Sequence, residues 1–239
     1  MEAHDTVPHK DRLLTYFNGL GFERWSAIYG DSELSRVRRK IREGHAAMMT
    51  LAQQWLVETL RPDSTLPGRG SVPRVLDAGC GTGLLGVALA QRGLHVTAVD
   101  LAPRMVAEAE RAASDAGVRE RMAFQTGDLE TVEGHFDAVV SLDVLMHYPR
   151  PGFARLCTRL ARLSRGPLLL TYSPWTPLFA VLHWLGGHLP HHHRRPDIHL
   201  LPTRFVEHTL AQAGMRIQRS ARISHSFYHV VLLQAGREG

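Results

Sequence analysis

The sequence predicts an α/β fold with a mostly parallel sheet covered on both faces, and three observations predict it. From residue 72 onward, short apolar strands alternate with helical segments, the pattern of repeated β-α-β units. A glycine-rich turn joins the first strand to the first helix of that series. The chain then closes on two adjacent strand-like segments, which can only pair as an antiparallel hairpin.

The elements follow in order. Residues 11–60 read as helical, because Leu34, Val37, Ile41, Met48, Leu51 and Trp55 recur at helical spacing with Arg36, Arg39, Lys40 and Arg42 between them. Gly44 is expected to break this run into two helices. Residues 1–62 form an N-terminal helical cap, and the Pro-, Gly- and Ser-rich stretch from Arg61 to Pro73 is a linker into a domain spanning 63–239. Strands are expected at Val72–Asp77, His95–Val99, Met122–Thr126, Phe136–Leu142 and Pro167–Tyr172. Helices are expected at Leu84–Arg92, at Pro103–Ala116 with a proline in its first turn, and at Phe153–Leu163. Residues 173–202 read as an insertion over the substrate side. A helix at Thr203–Ala213 and strands at Met215–Arg222 and Phe227–Gln234 complete the chain.

Composition narrows the function. With 239 residues and 44% apolar content, the chain can bury a full core, so global disorder is excluded. Two cysteines, Cys80 and Cys157, make no disulfide framework and favour a reducing, cytoplasmic setting. The polar, charged start from Met1 to Arg12 reads as neither a secretory signal nor a transit peptide. No apolar run reaches the ~18 residues that span a bilayer. The formal net charge is +5, and Lys10 and Lys40 are the only lysines, so the excess is carried by Arg. Such a balance suits nucleic acid, anionic lipid or an acidic small substrate, and it also follows from GC-rich codon usage.

The chemistry concentrates in Asp77-Ala78-Gly79-Cys80-Gly81-Thr82-Gly83, between strand and helix. Glycines there let the backbone turn tightly and approach a ligand, with the helix N-terminus favouring an anionic group. Gly81, Gly83 and Gly86 also satisfy the dinucleotide spacing, so the glycines alone do not choose a cofactor. Three acids add to the pattern. Asp77 ends the first strand, where its carboxylate can bind a methionine ammonium directly or through water. Asp100 ends the second, where an acid holds ribose hydroxyls. Asp128 follows the third, where an acid accepts from an adenine amino group.

Together with the terminal hairpin, these residues resemble the class I methyltransferases that use S-adenosylmethionine. The resemblance implies a Rossmann-like sheet of seven strands in the order 3-2-1-4-5-7-6, with strand 7 antiparallel. It implies cofactor contacts at Asp77, Gly79, Gly81, Gly83, Asp100, Leu101, Asp128 and Leu129. The segment Phe136–Pro149 lacks the Asn/Asp-Pro-Pro-Tyr/Phe signature of enzymes acting on exocyclic base nitrogens, and no RNA-binding module with stacking aromatics is visible, so nucleic acid is not expected as a partner.

A narrower resemblance lies in Tyr16-Phe17-Asn18-Gly19-Leu20-Gly21-Phe22-Glu23-Arg24-Trp25-Ser26-Ala27-Ile28-Tyr29-Gly30-Asp31 and in Val37-Arg38-Arg39-Lys40-Ile41-Arg42-Glu43-Gly44-His45. It continues through Leu142–Pro149, Thr176-Pro177, Gly186-Gly187 and Phe227-Tyr228. These segments are similar to the magnesium-protoporphyrin IX methyltransferase family. This chain departs from that family at Trp175, usually basic there, at Ser226, often Arg, and in the run His191-His192-His193.

The resemblance implies methyl transfer from S-adenosylmethionine to a propionate of magnesium-protoporphyrin IX in (bacterio)chlorophyll biosynthesis, giving the monomethyl ester and S-adenosylhomocysteine. It further implies contact with the porphyrin-binding subunit of magnesium chelatase and peripheral association with the photosynthetic membrane of a bacterium. A propionate titrates near a glutamate, about pKa 4.3, so it is ionised at neutral pH and positioning is the main task. His147 and Tyr29 are the candidate catalytic residues, each as a neutral donor of one hydrogen bond to the acceptor carboxylate. Trp25, Trp175 and Trp184 offer flat surface to the macrocycle, and Arg38, Arg42, Arg194 and Arg195 can pair with its second propionate. No metal site is expected: His191–His193 read as an exposed loop, because Mg²⁺ prefers oxygen ligands. The alternatives are another small-molecule carboxyl or O-methyltransferase, and a porphyrin-binding chaperone without turnover.

Overall fold

A computed structural model describes residues 6–29, 36–60, 72–175, 197–225 and 228–237. The helices are α1 (Thr6–Phe17), α2 (Leu20–Tyr29), α3 (Arg36–Thr59), α4 (Leu84–Gln91), α5 (Pro103–Asp115), α6 (Arg150–Leu163) and α7 (Thr203–Gln212). The strands are β1 (Arg74–Ala78), β2 (His95–Asp100), β3 (Met122–Thr126), β4 (Ala138–Ser141), β5 (Leu168–Pro174), β6 (Leu200–Leu201), β7 (Met215–His225) and β8 (Tyr228–Arg237). They form one sheet in the order β3-β2-β1-β4-β5-β8-β7, with β6 paired beside the end of β5. All pairs from β3 to β5 are parallel, while β8 runs antiparallel to both β5 and β7. This is the seven-strand order that the resemblance implied, with one short strand added.

The central strands form because their residues can be buried on both faces. β4 and β5 are buried along their whole length, the near-continuous apolar reading of a parallel sheet between helices. One core cluster, around Leu76, Val139, Phe153, Leu168 and Leu233, lies on the α6 and α7 side. The other, around Val75, Leu89, Ala98, Val140 and Leu232, lies on the α3 and α4 side.

The structure corrects the expected break at Gly44. α3 runs unbroken from Arg36 to Thr59, and Gly44 serves packing instead. A Cβ at this position would stand 2.8 Å from Tyr228 Cδ1 and 3.0 Å from His225 Cβ, so only glycine lets α3 lie this close to the hairpin. Met48, Ala52 and Leu56 of the same helix are fully buried with the sheet residues. Two smaller corrections concern strands. Phe136 lies outside β4 and makes only an isolated bridge to Ser164. Within the expected insertion, Ser173 and Pro174 still belong to β5 and pair in parallel with Leu200 and Leu201. The linker residues 61–71 and insertion residues 176–196 lie outside the described residues. Among the described residues, no helix is long and apolar enough to cross a membrane.

Candidate active site

The parallel strands deliver their C-terminal ends to one edge, and the order reverses between β1 and β4, opening a crevice where ligands of such sheets bind. β1 ends in Asp77 and Ala78, and the loop that follows is held by two backbone bonds, Gly79 N–H and Cys80 N–H both donating to Val99 O at 2.8 and 3.0 Å. Gly79 (φ 85°) and Gly81 (φ 52°) are left-handed, as the tight turn requires. Around Gly81 a Cβ would meet nothing within 4 Å, so the backbone there faces open space.

Two carboxylates frame this space. Asp77 is 3% exposed and its Oδ2 has no hydrogen-bond partner among the described residues. Burial, helped by the neighbouring negative charge of Asp100, raises its pKa to about 7, and the nearby Gly86 N–H offsets this only in part. Asp100 is raised as well, again by burial, although its Oδ2 accepts Gly81 N–H and its Oδ1 accepts Ala102 N–H, both at 2.9 Å. An orphaned, buried carboxylate oxygen beside an open glycine loop fits a ligand that brings a cation of its own, as an α-ammonium does. S-Adenosylmethionine carries such a group, so the residues present fit it. Cys80 in the same loop is no nucleophile: burial holds its thiol protonated.

The remaining expected cofactor residues fall along the same edge. Leu101 is half-buried after Asp100, while the Leu129 side chain is buried in the core cluster. Asp128 is bound by a partner the sequence did not point to. Lys10 of α1 donates to its Oδ2 at 2.6 Å and reaches Glu130 Oε2 at 2.8 Å, and Asp128 Oδ1 accepts Glu130 N–H. The N-terminal helices therefore lie over this edge. Asn18, in the turn between α1 and α2, accepts Arg104 N–H on its Oδ1 and Arg104 Nη1 on its carbonyl oxygen, and the guanidinium sits 4.2 Å from the Phe22 ring centre.

On the other side of the loop, β4 ends at Ser141, whose hydroxyl donates to Ala78 O at 2.9 Å. Two residues on, Asp143 adopts φ 57°, and no other non-glycine residue among those described has positive φ. That conformation costs on the order of 1 kcal/mol, least for Asp and Asn. It turns the chain so that Val144 packs on Gly79, where a Cβ would come within 2.1 Å of Val144 Cγ2. A 3-10 turn, Leu145–His147, follows.

His147 is held from two sides. His9 of α1 donates through Nε2 to the His147 carbonyl at 2.9 Å, and His147 Nδ1 lies 3.2 Å from the carbonyl oxygen of Asp197. A carbonyl only accepts, so the ring proton sits on Nδ1. Burial lowers the pKa of this imidazole and favours the neutral ring. Its Nε2 is then a lone-pair acceptor, which corrects the expectation that neutral His147 donates to the acceptor carboxylate.

Of the other expected residues, Trp25 is half-buried with its ring 5.3 Å from that of His45, and Arg42 is half-buried on α3. Trp175 is exposed, anchored by its backbone N–H to Leu201 O at 2.9 Å. Tyr29 closes α2 and Arg38 lies in the first turns of α3, but the side chains of both lie outside the described residues. So do Trp184, Arg194, Arg195 and His191–His193. Among the described residues, no cluster of three or more His, Cys, Asp or Glu could hold a metal ion. Sequence reasoning missed Lys10, His45 and Asp143, since a long-range ion pair and a left-handed Asp leave no local signature.

Residues 141–237 match the family described as the magnesium-protoporphyrin IX methyltransferase C-terminus, and residues 75–166 match the methyltransferase domain family. The magnesium protoporphyrin IX methyltransferase of Arabidopsis thaliana is 36% identical over 95% of this chain and 70% of its own length. The magnesium-protoporphyrin O-methyltransferase of Synechocystis is 35% identical over 93% of this chain and 94% of its own. The crystal structure of magnesium protoporphyrin IX methyltransferase from Synechocystis with bound S-adenosylhomocysteine superposes with a TM-score of 0.82 at 35% identity, covering 95% of this chain and 98% of that one.

Proposed function

The chain belongs to the magnesium-protoporphyrin O-methyltransferase family, and from that premise we propose that it moves the methyl group of S-adenosylmethionine onto a propionate of magnesium-protoporphyrin IX. One observation carries the reading: the likeness runs through the N-terminal helices, the glycine loop and the C-terminal hairpin together, over 93% or more of the chain. Ubiquinone O-methyltransferases, by contrast, match 46–61% of it.

In the reaction a propionate oxygen attacks the sulfonium methyl, the carbon–sulfur bond breaks, and the neutral thioether leaves as S-adenosylhomocysteine. Charge is annihilated, so exclusion of water helps, provided that the carboxylate is aligned. On this reading Asp77 takes the methionine ammonium, the glycine loop admits the cofactor backbone, and Asp100, Leu101, Asp128 and Leu129 line the nucleoside side. A propionate drawn from water into a site that excludes it titrates higher than it does in solution. His147 Nε2 accepts the proton that such an acid retains, and Tyr29 donates to the resulting carboxylate. Trp25 and Trp175 supply flat apolar surface to the macrocycle, and Arg38 and Arg42 pair with its second propionate.

On the same reading the enzyme works in the bacterial cytoplasm at the photosynthetic membrane and takes its substrate from the porphyrin-binding subunit of magnesium chelatase. The exposed Arg155, Arg162 and Arg165 along and beyond α6 suit an anionic surface.

Incubation with labelled S-adenosylmethionine and either magnesium-protoporphyrin or metal-free protoporphyrin tests the assignment. Preferred esterification of the magnesium form supports it. Equal transfer to both makes the protein a broader carboxyl methyltransferase, and cofactor binding without ester from either makes it a porphyrin carrier.

A further inference from the structure

We infer that Asp143 is a positioning residue for the methyl-acceptor site, fixing the His147 turn against the cofactor loop and tying helix α3 and the C-terminal hairpin to it. The inference deepens the function proposed above and rests on it for the identity of the acceptor.

Three elements meet on this one side chain. Its Oδ2 accepts the Tyr228 hydroxyl of β8 at 2.7 Å and stands 3.7 Å from His45 Nε2 of α3. Its Oδ1 accepts the Thr171 hydroxyl of β5 at 3.1 Å, and its own N–H donates to the same hydroxyl oxygen at 2.6 Å. The carboxylate is 12% exposed. A residue in the left-handed region, held by both side-chain oxygens and its backbone, is over-determined by its surroundings, and such strain gathers where function needs a fixed geometry.

The consequence lies in what the turn aims. Val144, the next residue, closes on Gly79 of the cofactor loop, and His147 stands at the end of the turn after it. Movement at Asp143 therefore moves the Gly79 backbone and the imidazole together.

Asp143 also acts through its charge. It is the anion that opposes burial at two imidazoles, His45 and His147, raising the proton affinity of each. The groups facing His147 are Asp143, His9 from α1, and His199 together with the Asp197 carbonyl ahead of β6; Phe17 packs edge-on against the ring. Around His45 stand Asp143, Trp25 from α2 and Tyr228 from β8. Among these groups Asp143 supplies the negative charge that strengthens His147 as a proton acceptor.

Asp143→Asn tests the inference, because Asn tolerates φ 57° and keeps one carbonyl oxygen while removing the charge. The expected result is a kcat reduced about 10-fold with the affinity for S-adenosylhomocysteine unchanged. The acid limb of the pH–rate profile should shift to lower pH, because a weaker base stays neutral to lower pH. An NMR titration of the His147 ring in the S-adenosylhomocysteine complex reads the same shift without turnover. It therefore separates failure of this inference from failure of the proposed reaction. Asp143→Gly, which relieves the strained φ and deletes the carboxylate, should be at least as impaired. Wild-type kcat in Asp143→Gly, or an unmoved His147 titration in Asp143→Asn, would overturn the inference.

Discussion

Lys10 Nζ lies 2.6 Å from Asp128 Oδ2 and 2.8 Å from Glu130 Oε2, so one lysine of α1 bridges two acids beyond β3. The Lys10 side chain is 16% exposed, and its pKa is raised because the hydrogen bonds and charges of both acids outweigh its desolvation. The N-terminal helix is thus fastened at the very edge where the glycine loop opens.

Replacing Lys10 by Met should loosen α1 more than it weakens the protein. The pair is partly solvated, so its loss is expected to cost about 1 kcal/mol or less in global stability. Amide exchange in α1 should nevertheless accelerate several-fold, since opening of a peripheral element is governed by its few ties. Unchanged exchange in α1 would show that apolar packing alone holds the helix.

Gly44→Ala carries an opposite expectation to helix propensity. Alanine favours an α-helix over glycine by about 1 kcal/mol. Here its methyl would meet Tyr228 Cδ1 at 2.8 Å and His225 Cβ at 3.0 Å, so the net effect should be destabilising by roughly 1–3 kcal/mol. Equilibrium denaturation measures it, and a stabilised variant would refute the packing account of the unbroken α3.

The raised pKa of Asp77 sets a pH dependence with a definite sign. In the unfolded chain this carboxyl ionises near 3.9, whereas in the fold it keeps its proton up to about pH 7. Its destabilising contribution is absent below pH 4, grows between pH 4 and 7, and is complete above. Asp77→Asn should therefore gain stability at pH 8, on the order of 4 kcal/mol at most, and gain little at pH 4. Cofactor binding should run the other way: an ammonium at Asp77 favours ionisation, so binding at pH 6 releases a proton and tightens toward pH 8. Calorimetry in buffers of different ionisation enthalpy detects the proton, and its absence would mean that Asp77 is already ionised in the free protein.

Turnover separates the acceptor side from the cofactor side. His147→Ala is expected to lower kcat by roughly 10²–10⁴-fold with little change in S-adenosylhomocysteine affinity, and Tyr29→Phe should lower kcat in the same sense. Wild-type turnover in both variants would remove these residues from the mechanism.

Much of this was legible in the chain because the signals are local. Val75–Leu76 and Ala138–Val140 are apolar runs, and Asp77–Gly83 shows in a single window where the sheet edge opens. What was not legible depends on tertiary partners. Gly44 reads as a breaker until Tyr228 is seen against it, and the two-residue β6 exists only because β5 lies beside it. The His147 proton is placed by a carbonyl 50 residues away, and Asp143 draws its role from Thr171, Tyr228 and His45 on three other elements.

The product formed from magnesium-protoporphyrin IX and S-adenosylmethionine decides whether the chain methylates a propionate. Mass spectrometry of the extracted porphyrin should show a single methyl ester on a propionate, matched mole for mole by S-adenosylhomocysteine. Recovery of unmodified porphyrin with intact cofactor, under conditions where both bind, would contradict it.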